Sequence, residues 1–113
     1  MFDWKDYLVF AKSLQTQGEP ALRTAVSRSY YAAFCYARNY ARDHQQFSPS
    51  YSSSDHFNLR DHFKRAGKYE ISGKLQRLRQ WRNDCDYEDT VQNINSIVES
   101  AIKSAQRIID TLQ

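Results

Sequence analysis

The chain has 113 residues, enough for one hydrophobic core and not two, and its 41% apolar content with three glycines and two prolines suits a compact helical protein. No run of about 18 apolar residues exists, which excludes a membrane-spanning helix. The opening Met1-Phe2-Asp3-Trp4-Lys5-Asp6 lacks the basic region and apolar core of a secretory signal, so a cytoplasmic location is expected.

Five helical segments follow in order. The first, Trp4 to Gln17, repeats apolar residues at Trp4, Leu8, Ala11 and Leu14 and stops at Gly18, a suitable residue just past a helix end. The second begins near Pro20 and runs to about His44 through Leu22, Val26, Tyr30, Ala33, Ala37 and Tyr40. Its aromatics Tyr30, Tyr31, Phe34, Tyr36 and Tyr40 crowd it all round, more than one core-facing stripe requires, so some should face a partner or a pocket. Gln45 to Ser54 is polar, serine-rich and holds Pro49, and reads as a loop. One of Ser52, Ser53 or Ser54 is expected to cap the third helix, which passes through Phe57, Leu59 and Phe63 to Ala66 and ends at Gly67.

The fourth helix carries the most informative pattern. Ile71, Leu75, Leu78, Arg82 and Cys85 step by four, three, four and three residues, the spacing of one buried stripe, and an arginine falls inside it. A guanidinium on an inward face is either neutralised by a partner, with Asp86 one turn on, or kept for function. The fifth helix has the cleanest seam, Val91, Ile94, Val98, Ala101, Ala105, Ile108 and Leu112. With no strand alternation and no repeat, the prediction is one all-α domain over residues 1–113, an up-and-down bundle of four to five helices.

The net charge of +3 is unevenly spread. Seven cations (Lys64, Arg65, Lys68, Lys74, Arg77, Arg79, Arg82) face a single anion, Glu70, before an acidic cluster at Asp84, Asp86, Glu88 and Asp89. Such a run is either a nucleic-acid footprint or a solvated helix face. Cys35 and Cys85 lie 50 residues apart in helical patterns and read as reduced thiols, and His44, His56 and His62 have no ligand spacing, so neither metal nor cofactor is expected.

Two segments belong together: Ser27-Arg28-Ser29-Tyr30-Tyr31-Ala32-Ala33-Phe34 and Arg82-Asn83-Asp84-Cys85-Asp86-Tyr87. In this order, with Phe63, Gly67, Ile71, Leu75 and Leu78 between them and a long apolar helix behind, they resemble the HEPN superfamily (higher eukaryotes and prokaryotes nucleotide-binding), in its small prokaryotic branch. The likeness covers about Trp4 to Leu112. It implies a helical bundle, commonly dimeric, that binds or cleaves RNA, often as part of a toxin and antitoxin pair with a nucleotidyltransferase or of a defence module.

Active members are metal-independent endoribonucleases with an arginine followed four to six residues later by a histidine. By that likeness Arg82, Asn83, Asp86 and Tyr87 hold the catalytic positions, with Arg82 the phosphate clamp and Asn83 a polar orienter. Arg28, Tyr31, Arg79 and Arg82 are the nucleotide-binding candidates. Asp86, Tyr87 and Glu88 stand where the histidine belongs, so cleavage is expected to be weak or lost. For Arg28 two accounts stand: a pair with Asp84 or Asp86 of the fourth helix, or an anion pocket shared with Arg82, with the Tyr31 and Tyr87 rings for base stacking. A protein-interaction subunit docking a nucleotidyltransferase-type enzyme is the alternative from another class, and an active ribonuclease using Tyr87 or a remote histidine is a third.

Overall fold

The computed structural model describes all 113 residues and contains only helices: α1 (Lys5–Ser13), α2 (Glu19–His44), α3 (Ser54–Arg65), α4 (Tyr69–Tyr87) and α5 (Ile94–Leu112). At 26 residues α2 is about 39 Å long by the rise of an α-helix, close to the 41 Å long axis of the molecule. It packs against α1, α4 and α5, while α3 leans chiefly on α4. The core follows the expected stripes: Leu8, Ala11 and Leu14; Leu22, Val26, Tyr30, Ala33 and Ala37; Ile71, Leu75, Leu78 and Cys85; Val98, Ala101, Ala105, Ile108 and Leu112 are all buried.

The helix ends differ from expectation where side chains or backbone found other partners. α1 stops at Ser13, and Leu14, Gln15 and Gln17 donate to carbonyls three residues back, so the helix loosens into tight turns that still insert Leu14 into the core. Gly18 is extended at φ −70° and ψ 179° and precedes α2 as its N-cap, with Pro20 in the first turn. Gly67 does close α3, at φ +78°, with its N–H donating to Lys64 and that of Lys68 to Phe63, a Schellman motif that a side chain at this φ would strain. α5 begins at Ile94 and not at Val91, because Asn93 turns left-handed at φ 58°.

Ser53 stands at the N-cap of α3, as expected, but its hydroxyl makes no capping bond. The turn before it is instead gathered by the buried Asp55 carboxylate, which accepts from the Ser50 N–H at 2.9 Å, the Ser50 hydroxyl at 2.8 Å and the Tyr51 N–H at 2.8 Å. The inward face of α3 is also rotated from expectation. Phe57 is 62% exposed, and the line that faces the bundle is His56, Leu59 and Phe63.

The carboxyl end of α4, with its carboxylates, is held from α2. Arg23 Nη1 donates to the carbonyls of Cys85 at 3.0 Å and Glu88 at 2.6 Å, and Nη2 donates to that of Asp89 at 3.1 Å. A cation at a helix carboxyl end satisfies carbonyls that have no intrahelical partner and offsets the negative end of the dipole. No helix is long and apolar enough to cross a membrane.

Candidate functional site

Arg82 lies on the buried stripe of α4 as its spacing requires, and its Nε is 2.8 Å from Asp86 Oδ2, with both side chains part-exposed at 19% and 28%. That oxygen lies off the N–H axis, so the buried Nε–H has no aligned acceptor although the charges are paired. Nη1 donates to Asn83 Oδ1 at 2.9 Å, which fixes the plane of the guanidinium.

Across from it on α2, the Tyr31 ring has two guanidiniums within cation–π distance. The central carbons of Arg28 and Arg82 are each 5.4 Å from its centroid, and Arg28 is also 4.9 Å from the Tyr7 ring. Arg28 is not paired with Asp84 or Asp86. Its one hydrogen bond goes to Ser27 Oγ at 3.2 Å, and Asp84 accepts from Gln80 at 3.0 Å within α4. Arg28 therefore keeps its charge free of any carboxylate, and the ring faces take its place as partners.

These residues line one cleft of about 410 Å³, formed by Trp4, Tyr7, Ser27, Arg28, Tyr31, Cys35, Arg82 and Asp86. Tyr87 is 73% exposed, with its ring 5.6 Å from Arg82. Arg79 and Asn83 do not open into this cleft. They line a smaller one of about 130 Å³ between α3 and α4, together with Arg60, Gln76 and Gln80. The sequence candidates are thus divided between two clefts, joined by the Arg82 to Asn83 hydrogen bond.

His56 is the residue that sequence reasoning placed outside the site. Its ring stacks on Phe34 at 4.5 Å, lies edge-on to Tyr31 at 6.4 Å and shares a short hydrogen bond through Nδ1 with the Tyr30 hydroxyl. Burial, then the positive charges of Arg79, Arg82 and Arg60, hold its pKa below the ordinary 6.5, against a weaker opposite pull from Asp55. Burial also pushes the Tyr30 hydroxyl well above its ordinary value, so it stays protonated. The available signal was the step of three and four from His56 to Leu59 and Phe63, hidden by the choice of Phe57. His44 and His62 lie elsewhere, against Tyr40 and Phe47.

Both cysteines are buried and free, and burial lifts the Cys85 thiol to about 11 and raises Cys35. Neither is a thiolate near neutral pH. No group of three His, Cys, Asp or Glu side chains stands close enough to hold a metal ion. What the region offers chemically is positive charge without matching acid: Arg28, Arg60, Arg79 and Arg82 answered by the one salt-bridged carboxylate Asp86. Guanidinium forks beside aromatic faces suit phosphates next to bases.

Comparison with protein-family models, curated proteins and solved structures finds no match for this chain.

Proposed function

We propose that the protein is a HEPN-type component of a toxin and antitoxin or defence module that binds RNA or a nucleotide around Arg82, as a homodimer, with nuclease activity weak or lost. The observation that carries this reading is the meeting of Arg28, Tyr31 and Arg82 in one open cleft, both guanidiniums 5.4 Å from the ring centroid, with the Arg82 Nε–H lacking an aligned acceptor. Arg82 clamps a phosphate, Asn83 orients the guanidinium, and Tyr31 and Tyr87 present ring faces to a base. Dimerisation is supported by aromatic surface that the core does not hide: Phe2 and Phe10 are 48% exposed, and Tyr36 and Tyr40 line a further open cleft. The same surface would receive a nucleotidyltransferase-type partner.

A second reading, a metal-independent endoribonuclease, is favoured by one observation. His56 brings an imidazole edge-on to Tyr31 at 6.4 Å, the ring that Arg82 approaches at 5.4 Å, whereas α4 lacks the expected histidine. RNA cleavage by its own 2′-hydroxyl needs such a group to move a proton and a cation to hold the charge that develops on phosphorus.

Fluorescence anisotropy with a structured RNA at several salt concentrations tests the binding reading. Affinity should fall steeply with salt, and Arg82→Lys should weaken it about tenfold while the melting temperature is kept, because the charge survives and the fork does not. Salt-independent binding, or none, would put the interaction-subunit reading first. Gel assay of the same RNA separates cleavage from binding, and light scattering should report about twice 13.3 kDa.

A further inference from the structure

We propose that the cleft between α3 and α4 is a second phosphate site, built by Arg60 and Arg79 beside the Arg82 pocket, and that a phosphate seated there draws a proton onto His56. The inference rests on the reading of Arg82 as a phosphate clamp, and it extends the site to a second anion.

The cleft is lined by Arg60, Gln76, Arg79, Gln80 and Asn83, with no apolar residue and no carboxylate. Asp61 pairs with Arg65 at 2.9 Å and Glu70 with Arg107 and Lys74, while Asp84, outside the lining, accepts from the lining Gln80 at 3.0 Å. Arg79 makes no ion pair, and its buried Nε–H has no acceptor. Arg60 donates to the His56 carbonyl at 2.9 Å, and burial followed by the charge of Arg79 lowers its pKa. Two guanidiniums that repel one another across a polar cleft without an acid are stabilised by an added anion.

The Arg82 to Asn83 hydrogen bond ties this cleft to the aromatic one, since Arg82 lines the first and Asn83 the second. A strand with its base against Tyr31 and one phosphate on Arg82 would have a neighbouring phosphate to place. The ligand chemistry is therefore a phosphate, either within an RNA strand or free.

His56 reports occupancy because its surroundings set its charge. Its ring touches Tyr30 and Tyr31 of α2, its carbonyl accepts from Arg60 of α3, and the charges of Asp55 on α3 and of Arg79 and Arg82 on α4 act on it through space. The hydrogen bond between His56 Nδ1 and the Tyr30 hydroxyl persists in either charge state: protonated His56 donates at Nδ1 to the Tyr30 oxygen, and the neutral Nε2–H tautomer accepts there from the hydroxyl. A phosphate on Arg60 and Arg79 cancels the field that keeps the ring neutral, and the proton follows.

The test is histidine NMR at constant ionic strength, titrating pH for the wild type and for Arg60→Gln with Arg79→Gln, with His56→Gln assigning the resonance. Each is measured alone, with inorganic phosphate and with a short oligouridylate. In the wild type phosphate should raise the His56 midpoint by roughly 0.5 pH unit or more, and oligouridylate should do the same if the strand fills the cleft. A rise with phosphate alone assigns the cleft to the free anion. In the double variant the midpoint should already be higher and should not move further. If oligouridylate binds the wild type while neither ligand moves His56, the second site is overturned and the Arg82 reading stands. If phosphate moves His56 but no RNA binds, the cleft stands and the RNA reading falls. If neither ligand binds or shifts the resonance, both fall.

Discussion

His56 stacks on Phe34 with ring centroids 4.5 Å apart and planes 20° from parallel, which joins α3 to α2 although α3 packs chiefly on α4. The contact holds an imidazole in a positive, half-dry setting, and this has a consequence for stability. A histidine whose folded pKa lies below 6.5 binds fewer protons folded than unfolded, so stability falls as pH drops below 6.5 until the folded pKa is reached. Urea melts between about pH 7 and 5 should show that loss, and His56→Gln should flatten it. An unchanged slope in the variant would place the titrating group elsewhere.

Arg82 and Asp86 should be coupled only modestly. Both side chains are part-exposed, so Arg82→Ala is expected to destabilise by about 1 to 2 kcal/mol and not by the larger loss of a well-buried pair. In a double-mutant cycle with Asp86→Ala, urea denaturation should give a coupling of about 1 kcal/mol or less. RNA affinity should follow Arg82 alone.

Arg23 is the stability hot spot that no apolar pattern reveals. Arg23→Ala leaves three carbonyls near the end of α4 without their donor and should lower stability by about 2 to 3 kcal/mol. Arg23→Lys recovers little, because one ammonium lacks the fork that reaches Cys85, Glu88 and Asp89 together. Thermal melts of the two variants check this.

Asp55 governs the acid limb. Burial raises its pKa most, but the donors of Ser50 and Tyr51 and the charge of Arg38 outweigh it and hold the carboxyl below the ordinary 3.8. Its contribution is present above that value and lost as pH falls through the lower folded pKa. Asp55→Asn should therefore weaken the fold at pH 7 by about 1 to 3 kcal/mol and remove part of the acid transition below about pH 4. Ser50→Ala loses the hydroxyl donor and should cost about 1 kcal/mol, more than an ordinary loop substitution. Circular dichroism at pH 3 to 7 reads both.

The bundle was legible because its apolar stripes are regular: the α5 seam from Val98 to Leu112 is buried as spaced, and Arg82 lies on the α4 stripe as its step predicts, although 19% of its side chain stays exposed. The grouping of Arg28, Tyr31 and Arg82 was one of two accounts that the sequence left open, and the three residues line one cleft. The misses share a cause. Phe57 over His56, a serine hydroxyl over the Asp55 carboxylate at the start of α3, and the unforeseen Arg23 all turn on which polar group meets which. Hydrophobic spacing says which face turns inward, whereas a polar partner depends on the direction of one side chain, which periodicity does not carry.

The uneven anchoring of α3 should give the two clefts different lifetimes. The aromatic cleft draws on α1, α2 and α4, and α2 runs the length of the domain, so its walls should open only with the whole molecule. The polar cleft borrows Arg60 from a 12-residue helix set mainly on α4. Amide exchange should be slowest in α2 and faster in α3. A strand spanning both clefts would meet one wall that is always standing and another that comes and goes, and its release would begin at the α3 side.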